Sequence, residues 1–226
     1  MRASVRAPFL PIANPNKQEK TLTVEFQAFP KMQRLYDSSK GVSITEKIDG
    51  SNAAVIVRDG ELVGVQSRKR LIFPGDDNFA FAHWAHSNAE GLARVLGDGT
   101  HYGEWFGKGI QRGYGLDEKR FALFNAVRWT VHVDLGEGAS MQTVPEEFKD
   151  VPGLTVVPEL FRGSIQDTGL DDAVEYALTV LRAQGSWASP GFDRPEGVVV
   201  FFIDSRTGYK VIPKGWEPGS KKATRG

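Results

Sequence analysis

The sequence predicts an α+β fold of mainly antiparallel sheets with flanking helices. Strand-like segments follow one another along much of the chain, and helical segments occur irregularly instead of alternating with strands as in a parallel sheet. Between two of these strands, Arg58-Asp59-Gly60 is typical of a hairpin, because Asp-Gly readily adopts the positive φ angles of a type I′ turn. A chain of 226 residues can form one large domain or two small ones, and we expect a single domain over residues 1–226.

Residue patterns locate the other elements. Apolar and β-branched runs predict strands at residues 43–48, 53–57, 61–66, 101–106, 121–127, 197–203 and 208–212. Capping signals and apolar faces predict two helices, at 78–96 and 170–183. The candidate N-caps of the first helix are Asp76, Asp77 and Asn78. Three segments are predicted to lack regular structure: an irregular arm at 1–20, a polar insertion at 130–153 and a mobile tail at 216–226.

The composition excludes several classes of protein. Without cysteine, the chain has no disulfide, no zinc–thiolate site and no cysteine nucleophile. The 28 basic and 28 acidic residues cancel, which argues against non-specific coating of nucleic acid but leaves room for a local basic groove. No apolar segment approaches the roughly 20 residues of a membrane span, and no secretion signal is evident. We therefore expect a cytoplasmic monomer without membrane contact.

Lys47 is the first candidate for chemistry. It ends a predicted strand and is followed at once by Asp49-Gly50, where the missing Cβ of Gly50 would let a phosphate lie against the chain. A lysine becomes a nucleophile only when its amine is neutral, which requires desolvation or neighbouring cations. The Asp49 carboxylate could orient that amine. Taken alone, the same pattern also describes a surface lysine beside an Asp-Gly turn.

Five segments downstream of Lys47 strengthen the first interpretation. They follow Lys47-Ile48-Asp49-Gly50-Ser51-Asn52 in the order Ser67-Arg68-Lys69-Arg70, Tyr102-Gly103-Glu104-Trp105-Phe106-Gly107, Phe121-Ala122-Leu123-Phe124-Asn125, Glu196-Gly197-Val198-Val199-Val200 and Tyr209-Lys210-Val211-Ile212-Pro213-Lys214. Together the six segments resemble the motifs of the lysine-nucleotidyl family of ATP-dependent RNA ligases, DNA ligases and mRNA capping enzymes, and among these most of all the RNA ligase 2 group. The resemblance implies a nucleotidyltransferase (adenylation) domain of the ATP-grasp-like ligase type.

The resemblance also implies a role for each motif residue. Lys47 would carry AMP, with Asp49 and Lys210 as further catalytic residues. ATP would be bound by Asn52 and Arg68 at its phosphates, by Glu104 at its ribose hydroxyls, by Phe124 stacked on the purine, and by Glu46. Glu196 would lie near the α-phosphate and a divalent cation, Mg²⁺ or Mn²⁺, since oxygen ligands suit such ions. Purely structural alternatives are a basic strand edge for Arg68, a buried polar residue for Glu104 and a core aromatic for Phe124.

Three positions depart from the family pattern. Asp49 stands where some members of the RNA ligase 2 group have His, and Asn125 stands where Asp is frequent. Ile212 occupies the place of a second lysine in the last motif, for which Lys214 is the candidate substitute. Only 16 residues follow Lys210, too few for the OB barrel that DNA ligases and capping enzymes place there, so we expect no C-terminal OB-fold.

The implied function is an ATP-dependent polynucleotide ligase acting on RNA ends or a nicked duplex. It would form lysyl-AMP, transfer AMP to a 5′-phosphate and join that end to a 3′-hydroxyl. One alternative keeps the chemistry but changes the substrate, giving a compact DNA nick ligase or an enzyme that only adenylates 5′ ends. Another is a catalytically inactive nucleic-acid-binding domain of the same fold.

Overall fold

The computed structural model describes residues 25–28, 41–77, 79–136 and 139–216. The predicted arm at 1–20, nearly all of the predicted tail and the N-cap candidate Asn78 lie outside these residues. Within the described part of the chain, every helix is too short or too polar to cross a membrane.

Twelve strands and five α-helices occur in the described residues. The strands are β1 (Gly41–Lys47), β2 (Ser51–Arg58), β3 (Glu61–Ser67), β4 (Leu71–Ile72), β5 (Gly99–Gly107), β6 (Lys119–Leu123), β7 (Val131–Gly136), β8 (Ala139–Thr143), β9 (Leu154–Val156), β10 (Glu159–Ser164), β11 (Gly197–Phe202) and β12 (Thr207–Val211). The helices are α1 (Phe81–Ser87), α2 (Ala89–Leu96), α3 (Ala126–Trp129), α4 (Ile165–Thr168) and α5 (Leu170–Gln184). A 3₁₀ helix spans Glu146–Asp150.

The strands form two main sheets and one separate hairpin. A four-stranded antiparallel sheet has the order β10-β1-β11-β12. A six-stranded sheet has the order β4-β3-β2-β5-β6-β9 and is antiparallel except for the pair β6–β9. The pair β7–β8 stands apart from both. The predicted α+β fold of mainly antiparallel sheets is therefore confirmed, and no OB barrel occurs among the residues that the structure describes.

Each sheet has its own hydrophobic cluster. Helices α1 and α2 pack on the six-stranded sheet, where Phe81 and Leu92 are fully buried. Helix α5 packs on the four-stranded sheet through Ala177 and Leu181. The short turn between β1 and β2 passes from one sheet to the other. Residues on either side of that turn consequently lie where the two sheets meet.

Sequence patterns predicted a turn and the approximate start of the first helix, because these depend on contacts between residues close in sequence. Asp59 and Gly60 have φ angles of 51° and 73°, which confirms the predicted turn between β2 and β3. The N-cap position of α1 is Ala80 and not one of the predicted candidates. The Asp77 carboxylate nevertheless satisfies the start of this helix from three residues earlier, because it accepts hydrogen bonds from the backbone N–H groups of Ala82 (2.8 Å) and His83 (2.9 Å).

Other elements differ from the prediction because tertiary contacts decide them. The helix predicted at 78–96 is two helices that break at Asn88, whose side-chain amide donates to the Trp84 carbonyl (2.8 Å). The strand predicted at 121–127 ends at Leu123, because the Asn125 side chain caps α3 by accepting from the N–H of Arg128 (3.1 Å). The segment 130–153 is more ordered than an irregular insertion, since it contains β7, β8 and the 3₁₀ helix.

Candidate active site

Lys47 lies at the end of β1, opposite Gly197 of the neighbouring strand β11. This register brings it beside Glu196, and the Lys47 Nζ forms an ion pair with Glu196 Oε2. The side chains are 20% and 6% exposed, so the amine is partly and the carboxylate almost wholly removed from water. A lysine amine is thus held by an acidic side chain 149 residues away in sequence.

Lys210 projects from the same face of the four-stranded sheet. Val199 lies opposite both Thr45 and Lys210, and Lys47 is two residues beyond Thr45, so alternation puts both lysines on one face. Helix α5 covers the other face, which carries Val42 and Val200. Lys210 is exposed and forms no ion pair with a residue that the structure describes. Its ammonium is therefore available to an anion.

Glu104 is the buried acid on the six-stranded sheet. It lies on β5 directly opposite Asn52 of β2, and its Oε2 accepts a hydrogen bond from the Asn52 side chain (3.1 Å). Its Oε1 accepts from the backbone N–H of Gly50 (3.0 Å). Burial raises the pKa of Glu104 to about 8, with Glu196 and Asp49 adding to the rise and Lys47 opposing it. The carboxyl therefore titrates within the physiological range.

Gly50 is required by packing against β5. A Cβ at this position would stand 2.5 Å from the Trp105 carbonyl oxygen and 2.9 Å from Phe106 Cβ. From the sequence, we predicted instead that the missing Cβ of Gly50 allows a phosphate to approach the backbone. In the structure, the space that a side chain would need is filled by the neighbouring strand.

The Asp49 carboxylate pairs with Arg112 and not with Lys47. The Arg112 Nε donates to Asp49 Oδ2 (2.9 Å). The backbone N–H of Asp49 donates to the Tyr114 hydroxyl (2.8 Å), and burial raises the pKa of that phenol, which keeps it neutral. In this structure Glu196 holds the Lys47 amine, while Asp49 fastens the turn between the two sheets to the loop after β5.

Arg68 and Phe124 lie on the six-stranded sheet near Glu104. Arg68 follows Ser67, the partner of Ala53 at the end of β3, and lies in the turn to β4. It is exposed and forms no ion pair with the described residues. Phe124 follows β6 two residues after Ala122, the partner of Glu104, and its N–H donates to the Tyr102 carbonyl (3.0 Å). Phe124 is 37% exposed, which is unusual for a core aromatic.

Glu46 has a different environment. Alternation along β1 directs it away from Lys47, and its Oε2 accepts from the N–H groups of Trp187 (2.8 Å) and Ala188 (3.0 Å). Burial raises the pKa of Glu46, while Ser186 and these N–H groups oppose the rise. The buried Oε1 accepts no hydrogen bond of normal geometry from the described residues. Glu46 thus anchors the segment after α5, and a contact with a nucleotide stays a prediction.

Sequence reasoning missed Arg112 and Tyr114. Both lie in the glycine-rich loop that follows the Glu104 motif, Lys108-Gly109-Ile110-Gln111-Arg112-Gly113-Tyr114-Gly115. The only local signal is an arginine and a tyrosine placed between turn-forming glycines. Their partners are at least 60 residues distant in sequence, as the separations of 63 and 65 residues from Asp49 show.

Comparisons with known proteins agree with the fold and with the family that the sequence resembles. A family model described as RNA ligase matches residues 40–212. Similar solved structures include Naegleria gruberi RNA ligase mutants: an apo form (23% identity, TM-score 0.50) and two with ATP and Mn (21% and 22% identity, TM-scores 0.50 and 0.51). Each match covers 79% of this chain and 51%, 51% and 50% of the other chains, so the chain spans about half their length. A search of curated proteins finds no significant match.

Proposed function

Because the chain belongs to the RNA ligase family, we propose that it is an ATP-dependent RNA ligase that forms a covalent lysyl-AMP on Lys47. It transfers the AMP to a 5′-phosphate and joins that end to a 3′-hydroxyl. The observation that carries the proposal is the Lys47–Glu196 ion pair, within electrostatic reach of the buried Glu104. Assignment to the RNA ligase 2 group, a monomeric state and a cytoplasmic location stay predictions.

The first step makes one bond and breaks another. The Lys47 ammonium gives its proton to water and separates from Glu196, and its lone pair then attacks the α-phosphorus of ATP. A phosphorus–nitrogen bond forms while the bond to the pyrophosphate oxygen breaks. In the second step an oxygen of the 5′-phosphate displaces Lys47 from the AMP phosphorus. In the third, the 3′-hydroxyl attacks the activated 5′-phosphate, loses its proton and expels AMP.

The described residues offer a suitable group for each part of ATP. On the six-stranded sheet, Glu104 can accept hydrogen bonds from the ribose hydroxyls and the exposed ring of Phe124 can stack on the purine. Lys210 and Arg68 are exposed cations without ion pairs among the described residues, which suits them to phosphate oxygens. Binding of this kind holds the α-phosphorus near Lys47, which is the positioning that phosphoryl transfer needs.

Glu196 is also the proposed ligand for Mg²⁺ or Mn²⁺. Among the described residues no group of three or more acidic or histidine side chains could hold a metal ion. That suits a cation that takes one or two carboxylates and completes its shell with phosphate oxygens and water. When bound, the cation would offset negative charge on the phosphate oxygens. The similar Naegleria gruberi RNA ligase mutants with ATP and Mn support ATP and a divalent cation as the cofactors.

The proposal is tested by incubating the chain with ATP labelled at the α-phosphate and either Mg²⁺ or Mn²⁺. We expect one acid-labile AMP per protein, because a phosphoramidate on a lysine is stable to denaturation but not to acid. No labelling over a range of pH and metal concentration would favour the catalytically inactive binding domain instead.

The substrate is tested separately, on nicked duplexes of RNA, DNA and RNA–DNA hybrid with a 5′-phosphate and a 3′-hydroxyl at the nick. We expect sealing when RNA forms the nick. Sealing of all-DNA nicks at an equal or higher rate would contradict the RNA preference and indicate a compact DNA ligase. Transfer of AMP without joining would indicate an enzyme that only adenylates 5′ ends.

The pH dependence of adenylation should reveal the ionisation of Glu104. With its pKa raised to about 8, Glu104 is mostly protonated at pH 7 and mostly ionised at pH 9. The ionised form is the better acceptor for ribose hydroxyls, so kcat/KM for ATP in the unmodified chain should rise over this interval. The ratio of that kcat/KM to the value for Glu104→Gln should grow about tenfold between pH 7 and pH 9.

Using the ratio removes the titration of ATP itself, which affects both proteins alike. Glu90→Gln, at an exposed position on α2, serves as the matched control and should show a constant ratio. A constant ratio for Glu104→Gln as well would show that Glu104 does not bind ATP as an ionised acceptor.

A further inference from the structure

Arg112 makes four long-range hydrogen bonds that have no role in the proposed chemistry. Its Nε donates to the Asp49 carboxylate (2.9 Å), and one terminal nitrogen donates to the carbonyls of Arg194 (2.9 Å) and Pro195 (3.1 Å). The other terminal nitrogen donates to the Trp216 carbonyl. The side chain is only 15% exposed, and Asp49 is 14% exposed, so water competes little for these bonds. All three guanidinium nitrogens are therefore engaged.

These partners lie close in sequence to residues of the candidate active site. Asp49 is two residues after Lys47, and Pro195 directly precedes Glu196. Trp216 follows β12, the strand that carries Lys210, and packs against the hydrophobic cluster of the four-stranded sheet. Arg112 itself extends from the loop after β5, whose residues Ile110 and Tyr114 are buried in the cluster of the six-stranded sheet. The guanidinium thus spans the boundary between the two sheets.

We propose that Arg112 is a positioning residue for lysine adenylation, an inference that rests on the proposed function. By binding Asp49 and the two carbonyls before Glu196 at once, it fixes where the Lys47 amine lies relative to the nucleotide. A planar guanidinium with five N–H groups can serve separated acceptors simultaneously, whereas a lysine ammonium at the same place can reach only part of them. Arg112 touches no reacting atom in this scheme and acts through Asp49 and the backbone at 194–195.

The test is the single-turnover formation of lysyl-AMP at saturating ATP by Arg112→Lys. The amplitude reports the fraction of folded, competent protein, and the rate constant reports how well that fraction is positioned. We expect the rate constant to fall about tenfold or more, as loss of near-attack geometry implies. The amplitude and the KM for ATP should stay within about twofold, because the fold and the nucleotide contacts remain.

Two further variants sharpen the result. Arg94→Lys is the matched control: Arg94, on α2, forms an exposed ion pair with Asp150, and its replacement should leave the rate unchanged. If Arg112 acts through Asp49, then adding Asp49→Asn to Arg112→Ala should slow the reaction little further, since residues of one network are not additive. A rate within twofold of the unmodified chain for Arg112→Lys, or multiplicative effects in the double variant, would overturn the proposal.

Hydrogen exchange supplies a readout that needs no activity. In Arg112→Lys, the amides of residues 48–50, Arg194 and Glu196 should exchange faster, while those of α5 should not change. Unchanged exchange at 48–50 would also overturn the proposal. Failure of the unmodified chain to form lysyl-AMP would contradict the proposed function instead, and the exchange data would still decide whether Arg112 fixes the turn.

Discussion

Lys47→Arg is expected to lower the rate of covalent AMP attachment by more than about 10⁴-fold while leaving the fold intact. The guanidinium keeps the positive charge that pairs with Glu196, but it stays protonated and has no free lone pair to attack phosphorus. The measurement is labelling with α-labelled ATP beside a denaturation curve in urea. Stability should change by no more than about 1 kcal/mol, because the buried carboxylate of Glu196 keeps a cationic partner.

Lys47→Ala separates the role of Lys47 in AMP attachment from its role in stabilising the fold. It should also abolish labelling, but it leaves the 6%-exposed carboxylate of Glu196 without a partner, which should cost about 1–3 kcal/mol. Persistent labelling of Lys47→Arg would mean that another residue carries the AMP. Equal stability of the arginine and alanine variants would mean that the ion pair does not contribute to folding.

Gly50→Ala is expected to slow adenylation about 100-fold, because the turn that carries Lys47 must move. The new Cβ would stand 2.5 Å from the Trp105 carbonyl oxygen, and Ser51 is paired with Trp105, so neither strand can retreat without breaking the ladder. The shift would also weaken the bond from the Gly50 N–H to Glu104. Denaturation should show a loss of about 1–3 kcal/mol, as for other overpacked sites.

Gly41→Ala is the matched control for this variant. Gly41 begins β1, has no positive φ, and a Cβ there would meet its nearest neighbour, Ile203, at an ordinary 3.7 Å. Its stability and adenylation rate should stay close to those of the unmodified chain. Normal adenylation by a folded Gly50→Ala would show that the turn tolerates displacement and that the position of Lys47 is set elsewhere.

Local sequence patterns predicted the fold class and most central strands. The geometry of the candidate site depends instead on the register of strand pairing. Asp59-Gly60 and the apolar runs of β2 and β11 were readable because neighbouring residues determine a turn or a strand. The contact between Lys47 and Glu196 depends on β1 lying beside β11 with Lys47 opposite Gly197. Nothing near either residue encodes that pairing, and only the resemblance to a family placed the two in one site.

Strand β10 was missed for a related reason. Its first residue, Glu159, is fully buried, which sequence reasoning does not expect of an acid. The carboxylate accepts hydrogen bonds from Ser43 and from Arg162 (2.9 Å), and it contacts His132 at 2.8 Å. Arg162 belongs to β10 itself, but Ser43 lies on β1 and His132 on β7. A charged residue whose burial depends on such distant groups carries no local strand signal.

The separate hydrophobic clusters of the two sheets have a thermodynamic consequence. Cooperative units of a protein often coincide with such clusters, and each can open without the other at a free energy below that of global unfolding. A nucleotide bound by Glu104 and Phe124 on one sheet and by Lys210 on the other would have to be released before the units could part. The substrate would then act as a reversible crosslink, and stability would rise with the logarithm of its concentration.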